Sequence, residues 1–348
     1  MLIPSCINLL RYMIENARAR GFSADHILRR ACDCQIDAVL WGAMAKDAIP
    51  PHEIGLPEDR FHADLLTFKM TQTARIGLWQ RTLASVVPAL NKDGINCIVL
   101  KGPSLGIRLM DSEMWRNTSD LDLWIDRGKL EKAAQILEDH GYRCGIEPHL
   151  WATNQILYMH ATLVPVELHW SLAPSPWKSP SFDEALSRAQ TQVFRDIPIK
   201  TLADGDLYCH LLLHAHQHYF APKTLVDLCA AIEKLNIDKK VLEECGLLRM
   251  NRCVRSALSA FGDVQPFGIC QCTLASVIRR YLKDMLGSAC GGGLIFGGET
   301  KLGAAFGVGV RALSMGLLDG YIYPAKAAAD VILFGPHRLG KIMAEFKS

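Results

Sequence analysis

The chain carries the run Ser119-Asp120-Leu121-Asp122-Leu123-Trp124-Ile125, in which acidic and apolar residues alternate at the start. Alternation predicts a strand, and its period of two places Asp120 and Asp122 on one face with the leucines on the other. Two neighbouring carboxylates repel each other unless a cation neutralises them, and their oxygens suit Mg²⁺ or Mn²⁺. Because Asp-x-Asp also occurs by chance on solvated strand ends, the surrounding segments decide its meaning.

A candidate phosphate-binding segment precedes this run. Residues 95–100, Ile-Asn-Cys-Ile-Val-Leu, predict a buried strand, and Lys101-Gly102-Pro103-Ser104 follows at once. Proline after glycine is typical of a helix start, so residues 103–110 are predicted to be a short helix. Free N–H groups and the helix dipole favour phosphate at such a start, which makes Gly102 and Ser104 candidate contacts.

A third acidic residue lies further along the chain. The run Val166-Glu167-Leu168-His169-Trp170 predicts another strand, with Glu167 and His169 on one face. Three carboxylates on adjacent strands beside a phosphate-binding helix start form the equipment for two-metal phosphoryl or nucleotidyl transfer. The predicted metal ligands and catalytic residues are therefore Asp120, Asp122 and Glu167.

Three ordered motifs resemble those of a known family: Leu100-Lys101-Gly102-Pro103, Arg116-x-x-Ser119-Asp120-Leu121-Asp122-Leu123, and Glu167-Leu168-His169-Trp170. The chain is similar over roughly residues 61–235 to the bacterial uncharacterised nucleotidyltransferases, part of the polymerase-β-like nucleotidyltransferase superfamily. The resemblance implies that Gly102 and Ser104 hold nucleotide phosphates, that Asp120 and Asp122 bind catalytic metals, and that Glu167 is the third carboxylate. Lys101 and Arg116 match further characteristic positions and are expected to face phosphate charge.

The chain departs from the broader superfamily in three respects. Pro103 separates Gly102 from Ser104, and the stretch from Gly102 to Asp120 is longer than usual. The third acid is Glu167, where aspartate is commoner. The first two departures affect which groups are expected to contact phosphate. The last one can alter the geometry of metal binding.

Several residues have a second interpretation. Lys101 is either a phosphate contact or an ordinary solvated lysine. Arg116 contacts substrate or forms an ion pair that positions the aspartate loop. His169 is a base, a partner of a metal ligand, or a histidine packed on Trp170.

Histidines recur at four-residue intervals in the predicted helix 206–219. His210, His214 and His218 lie along one face. Such a stripe can bind a transition metal, but it has no acidic or thiol partner on that face. The favoured interpretation places His214 at the cleft between the α/β and helical parts, where it contacts substrate or packs against Asp227.

The pattern of elements predicts an α+β protein. Residues 1–60 are an N-terminal helical segment, 61–200 a small nucleotidyltransferase-type α/β module with a mixed sheet, and 201–348 a helical C-terminal domain. Helices are predicted over 240–261 and 274–286. The glycine-rich stretch 291–298 lacks the lysine and Ser/Thr of a phosphate loop and is interpreted as a flexible link.

Composition narrows the class of protein. The 348 residues are 49% hydrophobic, and 38 Lys+Arg against 36 Asp+Glu give a net charge of +2, which makes nucleic acid an unlikely partner. The 12 scattered cysteines predict core thiols in a reduced, cytoplasmic protein, and Cys32/Cys34 and Cys270/Cys272 lack zinc spacing. No signal peptide is predicted, and the uncharged stretch 285–298 is shorter than the about 20 residues of a membrane span.

These features predict a metal-dependent nucleotidyltransferase using Mg²⁺ or Mn²⁺. It would move an NMP group from an NTP, expected to be ATP, to a hydroxyl or phosphate of a small molecule, peptide or protein, releasing pyrophosphate. A metal-dependent glycosyltransferase is a weaker alternative, because it gives Gly102 and Ser104 no role. A non-catalytic nucleotide-binding regulatory or scaffold protein of the same fold is the third hypothesis.

Overall fold

The computed structural model describes residues 3–145, 154–173, 178–218 and 220–259, and a seven-stranded mixed sheet lies at its centre. The strands are β1 (Cys97–Val99), β2 (Leu121–Ile125), β3 (Arg143–Cys144), β4 (Gln155–Met159), β5 (Val166–His169), β6 (Gln190–Phe194) and β7 (Ile197–Thr201). Their order across the sheet is β3-β4-β5-β2-β1-β7-β6. The predicted α+β class with a mixed sheet is confirmed.

Strands β2 and β5 are parallel neighbours in the middle of this sheet. Their register places Asp122 opposite Glu167 and Leu123 opposite Leu168. Strand β1 is antiparallel to β2 and parallel to β7, while β3–β4, β4–β5 and β6–β7 are antiparallel pairs. The two predicted acidic strands are therefore adjacent, as the sequence pattern suggested.

Helices precede and interrupt the first part of the sheet. They are α1 (Pro4–Ala19), α2 (Ala24–Asp33), α3 (Asp37–Ala45), α4 (Glu58–Lys92), α5 (Pro103–Met110) and α6 (Leu130–Asp139), with short 3₁₀ helices at Pro51–Ile54 and Arg127–Lys129. The predicted short helix after Gly102 has the expected bounds. Pro103 at its first position fits because proline has no N–H to leave unpaired there.

The later helices are α7 (Phe182–Arg188), α8 (Asp204–Gln217), α9 (Pro222–Lys234), α10 (Lys239–Glu244) and α11 (Leu248–Leu258). The single helix predicted over 240–261 is wrong, since two helices occupy the described part of that range. Gly246, with φ at 67°, separates them in a left-handed conformation that a helix cannot contain. The predicted helix 274–286 and the glycine-rich stretch 291–298 lie outside the described residues.

One element of the sheet has no counterpart in the sequence prediction. No strand is predicted between Trp170 and the helical part that begins at residue 201, yet the β6–β7 hairpin lies there after helix α7. The hairpin pairs through β7 with β1, where Thr201 lies opposite Val99. It therefore completes the sheet next to the strand that leads into Lys101 and Gly102.

Each face of the sheet is covered by a different set of helices. Leu121, Leu123 and Ile125 of β2 join a buried cluster with apolar residues of α4 and α6. Trp124, on the opposite face of the same strand, joins a cluster with residues of α1–α3 and α8–α11. Asp122 shares that second face because side chains alternate along a strand. The predicted domain limits at 60/61 and 200/201 stay predictions.

Two further features of the described residues bear on the class of protein. No helix within the described ranges is long and apolar enough to cross a membrane. Seven of the nine described cysteines are buried, and no disulfide joins any two of these nine. Their burial fits the expected use of cysteine as a small core residue.

Candidate active site

The acidic site is built on the middle two strands of the sheet. Asp122 of β2 is buried, with 2% of its surface exposed, and Glu167 of β5 lies directly opposite in the strand register. Backbone hydrogen bonds fix this position, because Leu121 N donates to the Pro165 carbonyl at 2.8 Å and Leu100 N donates to the Asp122 carbonyl at 3.1 Å. The strand pairing itself therefore brings the two carboxylates together.

Side-chain contacts connect these carboxylates to three basic or polar groups. Lys101 Nζ lies 2.9 Å from Asp122 Oδ1, and His169 Nε2 lies 3.2 Å from the same oxygen. The same His169 nitrogen is 3.4 Å from Glu167 Oε2, and Gln155 Nε2 donates to that oxygen at 2.9 Å. His169 therefore bridges the two carboxylates, and its part in the reaction stays a prediction.

The electrostatics of the two aspartates differ. Burial opposes ionisation of Asp122, but the Lys101 ammonium and His169 together hold its pKa well below the ordinary value. Burial and the neighbouring Asp122 charge raise the pKa of Asp120 to about 6. Burial would lower the pKa of Lys101, yet the surrounding carboxylates raise it. The cluster therefore holds a firmly ionised Asp122 beside a permanent cation.

Three donors in this cluster can hold a divalent ion. Within the described ranges, one ligand atom each from Asp122, Glu167 and His169 all lie within 4.8 Å of one another. Asp122 Oδ2 is buried and has no hydrogen-bond partner among the described residues. Since buried carboxylate oxygens are normally paired, this unpartnered atom fits the role of a ligand to a cation. Two carboxylates and an imidazole are a donor set that divalent metals accept.

Asp120, one of the three predicted metal ligands, lies outside that group. Its backbone carbonyl accepts a hydrogen bond from Trp79 Nε1 of α4 at 3.0 Å, which fixes the entry to β2. His169 belongs to the group instead. The alternation Glu167-x-His169 was the sequence signal for this ligand, because it puts both side chains on one strand face.

The turn from β1 into α5 requires a glycine. Gly102 has φ at +88°, and a Cβ there would lie 2.6 Å from Trp79 Cζ2. Ser104 is buried, and its hydroxyl donates to the Lys101 carbonyl at 3.0 Å. Ser104 thus stabilises the turn with its hydroxyl proton, while its role as a phosphate contact stays a prediction.

Arg116 is an ion-pair partner in the structure. Its Nε and Nη2 donate to the two carboxylate oxygens of Asp227 at 3.0 and 2.9 Å, and its Nη1 donates to the Gly102 carbonyl at 3.4 Å. Both side chains are buried. This is the second interpretation of Arg116, in which it positions the loop before β2, and its contact with phosphate stays a prediction.

The histidine stripe of α8 faces the site through Lys101. Lys101 Nζ lies 3.3 Å from His214 Nε2, and the His214 ring is 4.3 Å from the His218 ring between centroids. His210 is buried, and neither of its ring nitrogens has a hydrogen-bond partner among the described residues. His214 contacts Lys101 while Asp227 binds Arg116, and the predicted place of His214 in a substrate cleft stays a prediction.

Two site residues escaped the sequence analysis. Gln155 supports Glu167 from the antiparallel strand β4, and Trp79 supports the Asp120 backbone from α4. Neither has a motif around it. Only the strand register and the helix packing place them at the site, so no local signal in the sequence could have found them.

Comparison with known protein families assigns the chain to one of them. The family profile described as "Uncharacterised nucleotidyltransferase" matches residues 21–261, well over half of the chain. The chain therefore belongs to this nucleotidyltransferase family, which confirms the resemblance drawn from the three motifs. A comparison with curated protein sequences finds no match.

Solved structures similar to this chain include enzymes and a nucleotidyltransferase-like protein. The antibiotic-resistance factor ANT(2'')-Ia is 13% identical, with a TM-score of 0.37, over 54% of this chain and 95% of its own. The lincosamide antibiotic adenylyltransferase LnuA is 15% identical, with a TM-score of 0.31, over 41% and 94%. An antigenic nucleotidyltransferase-like protein from Paracoccidioides brasiliensis is 16% identical, with a TM-score of 0.30, over 51% and 91%.

Proposed function

We propose that the protein transfers an NMP group from an NTP, expected to be ATP, to an acceptor hydroxyl or phosphate with the help of Mg²⁺ or Mn²⁺. The observation that carries this proposal is the cluster of buried Asp122, partly buried Glu167 and buried His169, with its unpartnered Asp122 oxygen. Family membership supports the same reaction class. The net charge of +2 favours a small molecule, peptide or protein as acceptor over a nucleic acid.

The reaction would break one bond and form one bond at the α-phosphorus. The acceptor oxygen attacks that phosphorus, the bond to the bridging oxygen breaks, and pyrophosphate leaves with the electron pair. A bound divalent ion would supply positive charge to the phosphate oxygens as they gain negative charge. Glu167 is the carboxylate proposed to take the acceptor proton, with Gln155 holding its orientation at 2.9 Å.

The remaining groups act on position and charge. Asp122 stays ionised, so that it can bind a cation throughout the neutral pH range. Lys101 has a flexible stem and a raised pKa, which lets it carry positive charge towards a phosphate. Gly102 and the first turn of α5 lie directly beyond Lys101. Pro103 has no N–H, and Leu105 N and Gly106 N donate to the Gly102 carbonyl, so the proposal assigns the N–H groups of Gly102 and Ser104 to phosphate oxygens.

Labelled nucleotides test this proposal. The protein is incubated with each of four NTPs labelled at the α-phosphate, with Mg²⁺ or Mn²⁺ and cell extract, and transferred label and pyrophosphate are measured. Asp122→Asn and Glu167→Gln should each lower transfer on the order of a hundredfold or more, because each removes a carboxylate that acts on the reacting groups.

A surface carboxylate provides the matched control. Asp93 pairs with Lys132 at the surface, so Asp93→Asn should leave transfer unchanged. Transfer that survives in Asp122→Asn would contradict the proposal. Nucleotide binding without any transfer would instead support the regulatory or scaffold hypothesis.

A further inference from the structure

Lys101 occupies an unusual place for a lysine. Its ammonium lies among the acidic groups, 2.9 Å from Asp122 Oδ1, and its side chain is only 12% exposed. Its backbone is held in place, because Ser104 bonds its carbonyl and Gly102 follows in a turn that needs glycine. With the backbone fixed, any change in the position of the ammonium must come from rotation about the bonds of its four-methylene side chain.

We propose that Lys101 is a tethered cation that neutralises Asp122 until a divalent ion binds, and then moves to the nucleotide phosphates. This inference rests on the proposed function, and it adds an exchange of partners at the same site. Lys101 is in this sense a positioning residue, whose own charge sets how tightly the site binds a metal in the absence of nucleotide.

The charges at Asp122 make the exchange necessary. A divalent ion and an ammonium that both contact Asp122 would lie within a few ångströms and repel each other strongly in a buried site. Asp122 Oδ1 already contacts both Lys101 and His169, while Oδ2 is unpartnered. A metal that takes Asp122, Glu167 and His169 as ligands therefore weakens the bond between Lys101 and Asp122.

The structure also offers Lys101 a second partner. Its Nζ lies 3.3 Å from His214 Nε2, on the side of helix α8. Burial and the Lys101 charge lower the pKa of His214, so its ring is neutral and its nitrogen can accept a hydrogen bond from the ammonium. His214 thus keeps the ammonium close to the site after it leaves Asp122, where a triphosphate would meet it.

Metal and nucleotide are coupled by this exchange. A divalent ion alone must displace Lys101 without giving it an anionic partner, which weakens binding of the ion. A nucleotide supplies that partner, so each ligand should strengthen the binding of the other. Removal of the lysine charge should consequently change the two affinities in opposite directions.

The test is Lys101→Met, with free Mn²⁺ measured by electron paramagnetic resonance during titration with MnCl₂. Without nucleotide, the variant should bind Mn²⁺ more tightly by about tenfold or more, because a competing positive charge is gone. In the presence of Mn²⁺, it should bind α,β-methylene-ATP, which cannot transfer AMP, about tenfold more weakly.

Two matched variants control for charge and for folding. Lys101→Arg keeps the cation and should retain weak Mn²⁺ binding, whereas Lys132→Met removes a lysine charge at the surface and should change neither affinity. Thermal unfolding with and without MnCl₂ provides a second measurement. The rise in unfolding temperature on adding Mn²⁺ should be larger for Lys101→Met than for the wild type.

The outcomes separate this inference from the proposed function. Unchanged or weaker Mn²⁺ binding by Lys101→Met, in a variant that unfolds cooperatively, would overturn the exchange and leave the proposed function standing. A wild-type protein that binds no Mn²⁺ even with α,β-methylene-ATP would overturn both. Tighter Mn²⁺ binding in Lys101→Met together with weaker nucleotide binding would establish the exchange.

Discussion

Gly102 shows how a single residue sets the geometry of the site. Its positive φ of +88° turns the chain from β1 into α5, and its missing side chain lets the Trp79 ring approach the backbone. The same ring donates its N–H to the Asp120 carbonyl at 3.0 Å. One indole therefore positions both the candidate phosphate turn and the start of the acidic strand.

We predict that Gly102→Ala destabilises the protein by about 2–4 kcal/mol and lowers transfer activity, since it adds strain and a clash with Trp79. Gly94→Ala is the matched control. Gly94 has φ at +72° with no atom within 4 Å of an added Cβ, so it reports conformational strain alone. Urea unfolding measures the difference, and equal losses of stability in both variants would contradict a role for the Trp79 contact.

The site residues differ in how far the sequence revealed them. The alternation of acidic and apolar residues marked Asp122 and Glu167, and the position directly after a predicted strand marked Lys101. The structure places all three side chains in one cluster. Gln155 reaches Glu167 only because β4 pairs with β5 in a particular register. Register is set by the whole sheet, so no local pattern contains it.

At the scale of elements, the β6–β7 hairpin is a part of the sheet that the sequence did not predict. Its two-residue turn is Arg195-Asp196, and both residues have positive φ, at 45° and 70°. In sequences, turns of this kind are usually recognised by Asn-Gly or Asp-Gly, and Arg195-Asp196 matches neither pair. Strand β6 is also a largely exposed edge strand, so it lacks the apolar alternation of a half-buried strand.

A second element, helix α9, is joined to the loop before β2 by a buried ion pair, Arg116–Asp227, in addition to the more exposed pair Lys234–Asp111. The Arg116 guanidinium makes two hydrogen bonds to Asp227, and their side chains are 3% and 2% exposed. Its third contact, to the Gly102 carbonyl, links α9 to the phosphate turn. The pair therefore connects the C-terminal helices to the site.

We expect Arg116→Ala to cost about 3–5 kcal/mol of stability, because it leaves the Asp227 carboxylate buried without a partner. The exposed pair Lys132–Asp93 is the control, and Lys132→Ala should cost less than about 1 kcal/mol. Urea unfolding compares the two. A cost for Arg116→Ala as small as that of the surface variant would show that the buried pair does not hold α9 in place.

At the scale of the whole molecule, the acidic face of the sheet is closed by helices from both ends of the described chain. Residues of α1–α3 and α8–α11 share one buried cluster with Trp124 of β2. In this arrangement His210 of α8 is buried close to the charged side chains of Lys101, His169 and Asp122. Burial first, and then the Lys101 and His169 charges, lower the pKa of His210 to about 3, while Asp122 opposes them.

This burial predicts a loss of stability in acid. The folded His210 stays neutral until pH falls to about 3, whereas the unfolded residue takes up a proton near its ordinary value of about 6.5. The contribution of His210 to the free energy of unfolding is therefore fully present above the pKa of the unfolded residue, and it is lost as pH falls below that value. We expect the free energy of unfolding to fall less steeply between pH 7 and 4 in His210→Phe than in the wild type, by up to about 1.4 kcal/mol per pH unit. Urea unfolding at each pH measures this slope, and an unchanged slope would contradict the burial of a neutral ring.

The place of β2 and β5 in the strand order has a consequence for motion. Each has a hydrogen-bonded strand on both sides, so we expect the amides beside Asp122 and Glu167 to exchange with solvent more slowly than those of the edge strands β3 and β6. Under the proposed function, the carboxylates would then lie on a part of the sheet that opens rarely, and recognition of different acceptors would fall to side chains and connecting segments outside it. Such a division allows the recognised molecule to change during evolution while the reacting centre keeps its shape.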